Sequence, residues 1–163
     1  MPKLVTKNRP EDPVWNLDGM KKRVEIVFLK VQEAWMERDQ SIAKDYMSEA
    51  LFQKHKLQTD QMLKEHKKNM LDRINLLESH IVEIADYKDN SKDAMWVYIK
   101  GSMIDYMVDD RSENKLSGDS TTPEKFTELW RFIRKENGWV LDEIQQNVSI
   151  DDLNKAVSFI EEK

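Results

Sequence analysis

Residues 123–144, PEKFTELWRFIRKENGWVLDEI, constrain the fold more than any other stretch. In an extended chain Phe126, Glu128, Trp130, Phe132 and Arg134 project to one side, and Thr127, Leu129, Arg131, Ile133 and Lys135 to the other. Asn137-Gly138 is a strong hairpin signal, because both residues tolerate positive φ. Trp139, Val140, Leu141 and Ile144 make the return strand. Large apolar groups on both sides mean a strand buried on both faces, or buried on one and lining a groove on the other. The hairpin therefore predicts a curved sheet with a cavity.

The rest of the chain supplies something to cover that sheet. After Asp18, a plausible helix cap, Met20, Val24, Val27, Phe28, Val31 and Trp35 recur at helical spacing. A short helix is predicted after Ser41, with Ile42 and Tyr46 inward. A third, capped by Ser48, is predicted to run to about Asn69 with Leu51, Phe52, Thr59, Met62, Leu63 and Met70 as its stripe. Residues 73–87 and 94–108 then read as strands. In the first, Ile74, Leu76, His80, Val82 and Ile84 share a face; Gly101-Ser102 suggests a bulge in the second. Residues 109–122 read as a polar hairpin loop. Helices followed by four long antiparallel strands define an α+β domain. The predicted organisation is a lead-in over 1–17 with Pro2, Pro10 and Pro13, the domain over 18–147, and a C-terminal helical tail over 148–163. Ser149 and Asp152 open that tail, with Ile150, Leu153, Val157 and Ile160 on one side.

Composition excludes several function classes. A chain of 163 residues supports one full core. Its net charge of −5 argues against a nucleic-acid surface. The charge is uneven, positive over the first 70 residues and strongly negative afterwards. Lys54, Lys56, Lys64, Lys67 and Lys68 carry the basic excess of the predicted third helix. No cysteine is present, so disulfides, thiolate metal sites and cysteine nucleophiles are excluded. No apolar run approaches the roughly 20 residues of a membrane span, and no secretory signal is visible. The expected location is cytoplasmic, or peripheral on the cytoplasmic face of a membrane.

DPVW at 12–15, FLKVQEAWMERD at 28–39, GSMIDYMVDD at 101–110 and FTELWRFIRKENGWVLDEI at 126–144 resemble one family. It is the domain shared by the C-terminal half of the translocase-of-inner-membrane forty-four-kilodalton subunit and its bacterial relatives, and the chain looks like a bacterial member. The resemblance covers residues 12–146. It implies a nuclear-transport-factor-two-like fold, with N-terminal helices on a strongly curved, cone-like, four-stranded antiparallel sheet that forms a hydrophobic pocket. It also implies binding to proteins and membrane surfaces rather than catalysis. The membrane-spanning segment and chaperone-binding region that precede the domain in some relatives have no counterpart in the sequence, so a role in import does not carry over.

Candidate chemistry is sparse. His55 and His66 lie eleven positions apart on one predicted helix, about 16 Å at a ~1.5 Å rise, too far to share a metal. His80 lies on a strand. The acidic residues of 109–119 do not have EF-hand spacing, and the sequon Asn147-Val148-Ser149 lacks a secretory context. No metal and no cofactor is expected. Asp105 and Tyr106 point to opposite faces of a strand, so at most one reaches a pocket as an acid or base. Asp105 falls on a largely apolar face and is expected to pair with Arg131 or Arg134.

Trp35, Trp96, Met103, Tyr106, Trp130 and Phe132 are the candidate pocket residues, suited to an acyl chain or an apolar peptide side chain. Trp35, Trp96, Trp130 and Trp139 also read simply as core and rim. The lysines at 54, 56, 64, 67 and 68 are either a solvated face or a surface for anionic lipid or an acidic partner. The leading expectation is a non-enzymatic binding domain that engages a protein segment or a membrane surface. The alternative is an isomerase- or dehydratase-like enzyme using Asp105 or Tyr106. A third reading is an architectural subunit of a homo-oligomer.

Overall fold

A computed structural model describes residues 17–86, 93–136, 138–146 and 160–161. Helix α1 spans Leu17–Glu37, a 3-10 helix spans Gln40–Tyr46, and α2 spans Glu49–Lys64. The strands β1 Lys67–Asp86, β2 Ala94–Asp109, β3 Lys115–Lys135 and β4 Gly138–Gln146 follow. Each pairs antiparallel with the next, giving an open α+β sheet with the order β4-β3-β2-β1. Ile160–Glu161 add a short parallel strand, β5, beside Ala85 and Asp86. The predicted lead-in and nearly all of the predicted last helix fall outside the described residues.

Helix α1 forms because its apolar residues recur every three or four positions. Met20, Val24, Val27, Phe28, Val31 and Ala34 are all buried on one stripe. Asp18 lies inside the first turn rather than at the cap, where its carboxylate faces the positive end of the helix dipole. The stripe packs on the sheet face carrying Met95, Val97, Ile99, Trp130, Phe132, Trp139 and Leu141. Phe28 stacks on Phe126 at 6.2 Å and tilts against Trp130 at 5.5 Å. β3 is buried on both sides, since Leu129 packs with Val82, Trp96 and Tyr98 on the opposite face.

Ser48 caps α2 by accepting from the Leu51 N–H at 3.2 Å. The helix stops at Lys64, short of the predicted end near Asn69. Glu65 caps it, His66 turns left-handed at φ 57°, and Lys67 pairs with Asp109 to start β1. Sheet pairing thus prevails over the helical reading of residues 65–70, and Lys67 and Lys68 leave the helix carrying Lys54, Lys56 and Lys64. Arg38, after α1, is also left-handed at φ 55°. Asp110 ties both ends together, accepting from Arg38 Nη1 at 2.7 Å and lying 3.1 Å from His66 Nδ1.

Bulges decide the facing of side chains. β1 breaks register between Asp72 and Asn75, Leu76 and Glu78, and Ile81 and Glu83. Ile74, Leu76 and Ile84 consequently face the helices while Val82 packs on the other side and His80 stacks there on Tyr98 at 6.2 Å. The predicted shared face of β1 is therefore split. The bulge expected at Gly101 lies across the ladder, in β1. Gly101 is required for another reason: an added Cβ would sit 2.5 Å from the Phe126 ring.

β3 begins at Lys115, so residues 115–119, read as loop, pair with β2 instead. Positions 120–123, ending at Pro123, are spare residues where the pairing jumps from Met103–Glu124 to Asp105–Asp119. In β4 the spare residue is Asp142, which lets Leu141 and Ile144 both meet the core. Gly138 pairs with Lys135 and holds φ +120°, a conformation open to glycine alone. Gly138→Ala is expected to destabilise the domain by about 1–3 kcal/mol through backbone strain, seen as a lower urea midpoint at unchanged slope.

Candidate functional site

The same stripe that builds the core at Phe28 continues along α1 to a cleft. Val31, Gln32 and Trp35 line one wall, and α2 adds Lys54, His55 and Gln58. The floor and far wall come from Asn69 and Leu71 of β1, Met103 and Asp105 of β2, Glu128 and Trp130 of β3, and Ile144 and Gln146 of β4. The cleft encloses about 370 Å³. A smaller groove of about 230 Å³ shares Met103, Asp105, Glu128 and Gln146 and adds Glu124, Lys125, Phe126 and Thr127.

Of the six pocket candidates the structure places Trp35 and Met103 at the cleft, with Trp130 beneath it as a fully buried base. Trp96 does not join them. β2 turns Met95, Val97 and Ile99 to the helices, so alternation puts Trp96 on the opposite face with Tyr98, Val82 and Leu129. Tyr106 follows the same alternation away from Met103 and Asp105, and contributes only its carbonyl, which accepts from Asn69 Nδ2 at 3.1 Å. Phe132 lies too deep, fully buried in the core 6.3 Å from the Trp130 ring. The cleft is also more polar than the apolar pocket expected from aromatic and methionine residues alone.

Asp105 is exposed at the cleft rim, and its partner is an amide rather than an arginine. Asn69 Nδ2 donates to Asp105 Oδ1 at 2.6 Å, and Asn69 Oδ1 accepts from Trp35 Nε1 at 3.0 Å. The expected ion pair is absent because both arginines are held elsewhere. Arg131 Nη1 donates to Asp142 at 2.7 Å, and Arg134 Nη1 to the buried Asp93 at 3.0 Å.

Three cleft residues carry signals that the sequence reading passed over. His55 occupies the α2 stripe with Leu51, Thr59 and Met62, so helical spacing alone placed it inward. It is 9% exposed, its ring meets Trp35 edge-on at 5.5 Å, and its buried Nδ1 has no hydrogen-bond partner. Burial, with Lys54 beside it, lowers its pKa to about 4 and keeps the imidazole neutral. Glu128 shares the facing of Trp130 and Phe132, a charged residue at a core-side strand position. Burial raises its pKa, against the opposing effect of hydrogen bonds from Trp130 Nε1 at 2.8 Å and Gln146 Nε2 at 3.5 Å. Asn69 is buried because β1 begins earlier than the helical reading allowed.

The lysines divide into two groups. Lys56 pairs with Asp60 at 2.8 Å and Lys67 with Glu65 at 3.4 Å. Lys54 and Lys64 are exposed on α2, and neither has an ion-pair partner among the described residues. Between them Leu57 is 75% exposed. Lys68, half-buried, lies on β1 and extends no helical face. Among the described residues no group of three His, Asp or Glu side chains is placed to hold a metal ion.

The Tim44-like domain family matches the chain over residues 3–146. The crystal structure of the intermembrane space region of chloroplast protein ARC6 is similar in fold, with a TM-score of 0.50 and 10% identity. That likeness covers 78% of this chain and 96% of the other. No curated protein matches.

The depressed pKa of His55 ties stability to pH. Between its ordinary value of 6.5 and about 4 the unfolded chain takes up a proton that the folded chain refuses. Stability from this group is complete above 6.5 and is lost as the pH falls toward 4, by up to about 3 kcal/mol. Urea unfolding across this range is expected to show that slope, and His55→Gln to flatten it.

Proposed function

Because the chain belongs to the Tim44-like domain family, we propose that it is a non-enzymatic binding domain that holds a segment of a protein partner in its cleft, at a membrane surface. The family is associated with protein-translocation scaffolding. The observation that carries the reading is the cleft itself: open, about 370 Å³, with the half-buried Trp35 set among polar groups of mixed type. Sites of that volume and mixture suit one or two anchoring side chains of an extended segment. Trp35 supplies aromatic area, and Gln32, Gln58, Asn69 and Gln146 supply adaptable hydrogen bonds.

The membrane part of the reading rests on α2. Lys54 and Lys64 flank the exposed Leu57, the combination by which an amphipathic helix rests on an anionic surface. With Lys56 and Lys67 already paired, this attraction is weak and falls with salt. Among the described residues no helix is long and apolar enough to cross a membrane, so contact through α2 would be peripheral.

Two experiments test the two parts. A photoreactive side chain at Gln146, on the cleft wall, is expected to crosslink to a protein partner in intact cells, and Gln58→Trp, which crowds the mouth, to cut that yield at least tenfold. Crosslinks that persist unchanged in Gln58→Trp would place the partner elsewhere. Vesicles containing phosphatidylglycerol are expected to co-sediment the domain at low salt, and the double change Lys54→Glu with Lys64→Glu to abolish it. Retention by the double variant would remove α2 as the contact.

A further inference from the structure

We propose that the partner segment is held by strand addition: it lies along the free edge of β4 at Ile144 and Gln146, pairs with their backbone groups, and sets basic side chains beside Glu143. The inference rests on the binding reading above and specifies how, and by what kind of segment, the site is filled.

The edge emerges from accounting for the backbone groups at the rim of the sheet, because unpaired N–H and C=O groups there are what an added strand uses. The β1 rim is occupied at its start. Arg38 Nη1 donates to the Lys67 carbonyl at 3.0 Å, and the Leu71 N–H donates to Met36 Sδ at 3.4 Å. Beyond Leu71 three register breaks interrupt the strand, and β5 covers Ala85 and Asp86. The part of β3 that runs past the end of β4 is broken by Gly118 at φ +87° and by the spare residues ending at Pro123.

β4 differs. Its Leu141 carbonyl turns away from β3 and accepts from the Ser48 N–H at 2.8 Å, where Met47 makes a single parallel bridge. The chain thus already adds one residue of strand to this rim before Ser48 turns it into α2. The spare residue Asp142 gives Ile144 the same facing as Leu141, so Ile144 and Gln146 also direct their N–H and C=O groups away from β3. Among the described residues no backbone hydrogen bond from outside β3 reaches either one. Both residues line the cleft. A strand added here sets every second side chain into the cleft that Trp35 lines, and the alternate ones on the opposite face.

That opposite face sets the chemistry of the segment. Glu143 is exposed there, cross-strand from Arg131. It has no ion-pair partner among the described residues, and Arg131 is engaged by Asp142. Opposite charges on neighbouring strands attract, so the segment carries Lys or Arg beside Glu143 and apolar residues toward the cleft. A second copy of the chain would bring a second Glu143 to the same short rim, which fits less well than a partner of opposite sign.

The probe is a five-residue peptide alternating lysine and valine, blocked at both ends. Saturable binding is expected, with slowed hydrogen exchange at the Ile144 and Gln146 amides and no change at those of Glu143 and Gln145, which face β3. Methylating every backbone nitrogen of the peptide should weaken binding at least tenfold. Gln146→Pro removes an N–H that the β3 ladder does not use, so it should weaken binding as much while leaving the urea midpoint unchanged. Glu143→Lys should reverse the preference from the lysine–valine peptide to a glutamate–valine one. No binding, unchanged exchange at Ile144 and Gln146 under saturating peptide, or equal binding of the methylated peptide would overturn the proposal. Protection of both amides before peptide is added would show the edge already taken, by a second copy if it grows with protein concentration, and would overturn it as well. If the Gln146 crosslink depends on the cleft while the methylated peptide binds as well as its parent, the binding reading stands and strand addition falls. If the alternating protection appears and no crosslink forms in cells, the edge site stands and the partner reading falls.

Discussion

Phe28 against Phe126 and Trp130 is the contact on which the rest of the domain depends. An amphipathic helix and a half-buried sheet are each unstable alone, and this aromatic junction joins them where both present their largest apolar surfaces. Burying one such ring is worth roughly 1.5–3 kcal/mol, so three in mutual contact dominate their neighbourhood. Gly101 belongs to the same junction, because only a residue without a side chain leaves room for the Phe126 ring. Seven residues beyond Phe28, about 10 Å along the axis, the same helical stripe carries Trp35. Core and cleft are therefore successive parts of one surface, and Trp130 belongs to both.

The cleft stays open because its walls are polar where the core's are not. Glu128 follows the strand alternation that buries Trp130 and Phe132, yet it carries a charge that burial disfavours. His55 follows the α2 stripe that buries Leu51 and Thr59, yet its Nδ1 has no partner. Apolar residues at these two positions would extend the packed core into the space between α2 and β3. Local departures from the hydrophobic pattern at a concave site are consistent with the binding role proposed above.

Much of this was legible from periodicity. The α1 stripe, the two-faced β3 and the position of the final hairpin follow from spacings of 3.6 and 2, and all three are present in the structure. The family resemblance carried by four motifs agrees with the match over residues 3–146. The failures have one physical origin. Residues 67–70 and 115–119 lack strong periodicity, and long-range pairing with β2 drew both into strands. Trp96 was grouped with Met103 although their positions differ in parity, and β2, regular across that interval, keeps them on opposite faces. Bulges in β1 broke the parity of Ile74 through Ile84, because a bulge depends on the partner strand and leaves no mark in a single segment.

By itself the sequence determined the order of elements, the face each helix buries and the family, since these depend on local spacing and on motifs read in line. Only the tertiary structure decided that Asp105 meets Asn69 instead of an arginine, that Glu128 and His55 share a cleft with two tryptophans, and that the basic residues split between a helix and a strand. Those outcomes turn on strand register and on where a helix yields to a sheet. Both are set by pairing energies between segments tens of residues apart, which no local pattern encodes.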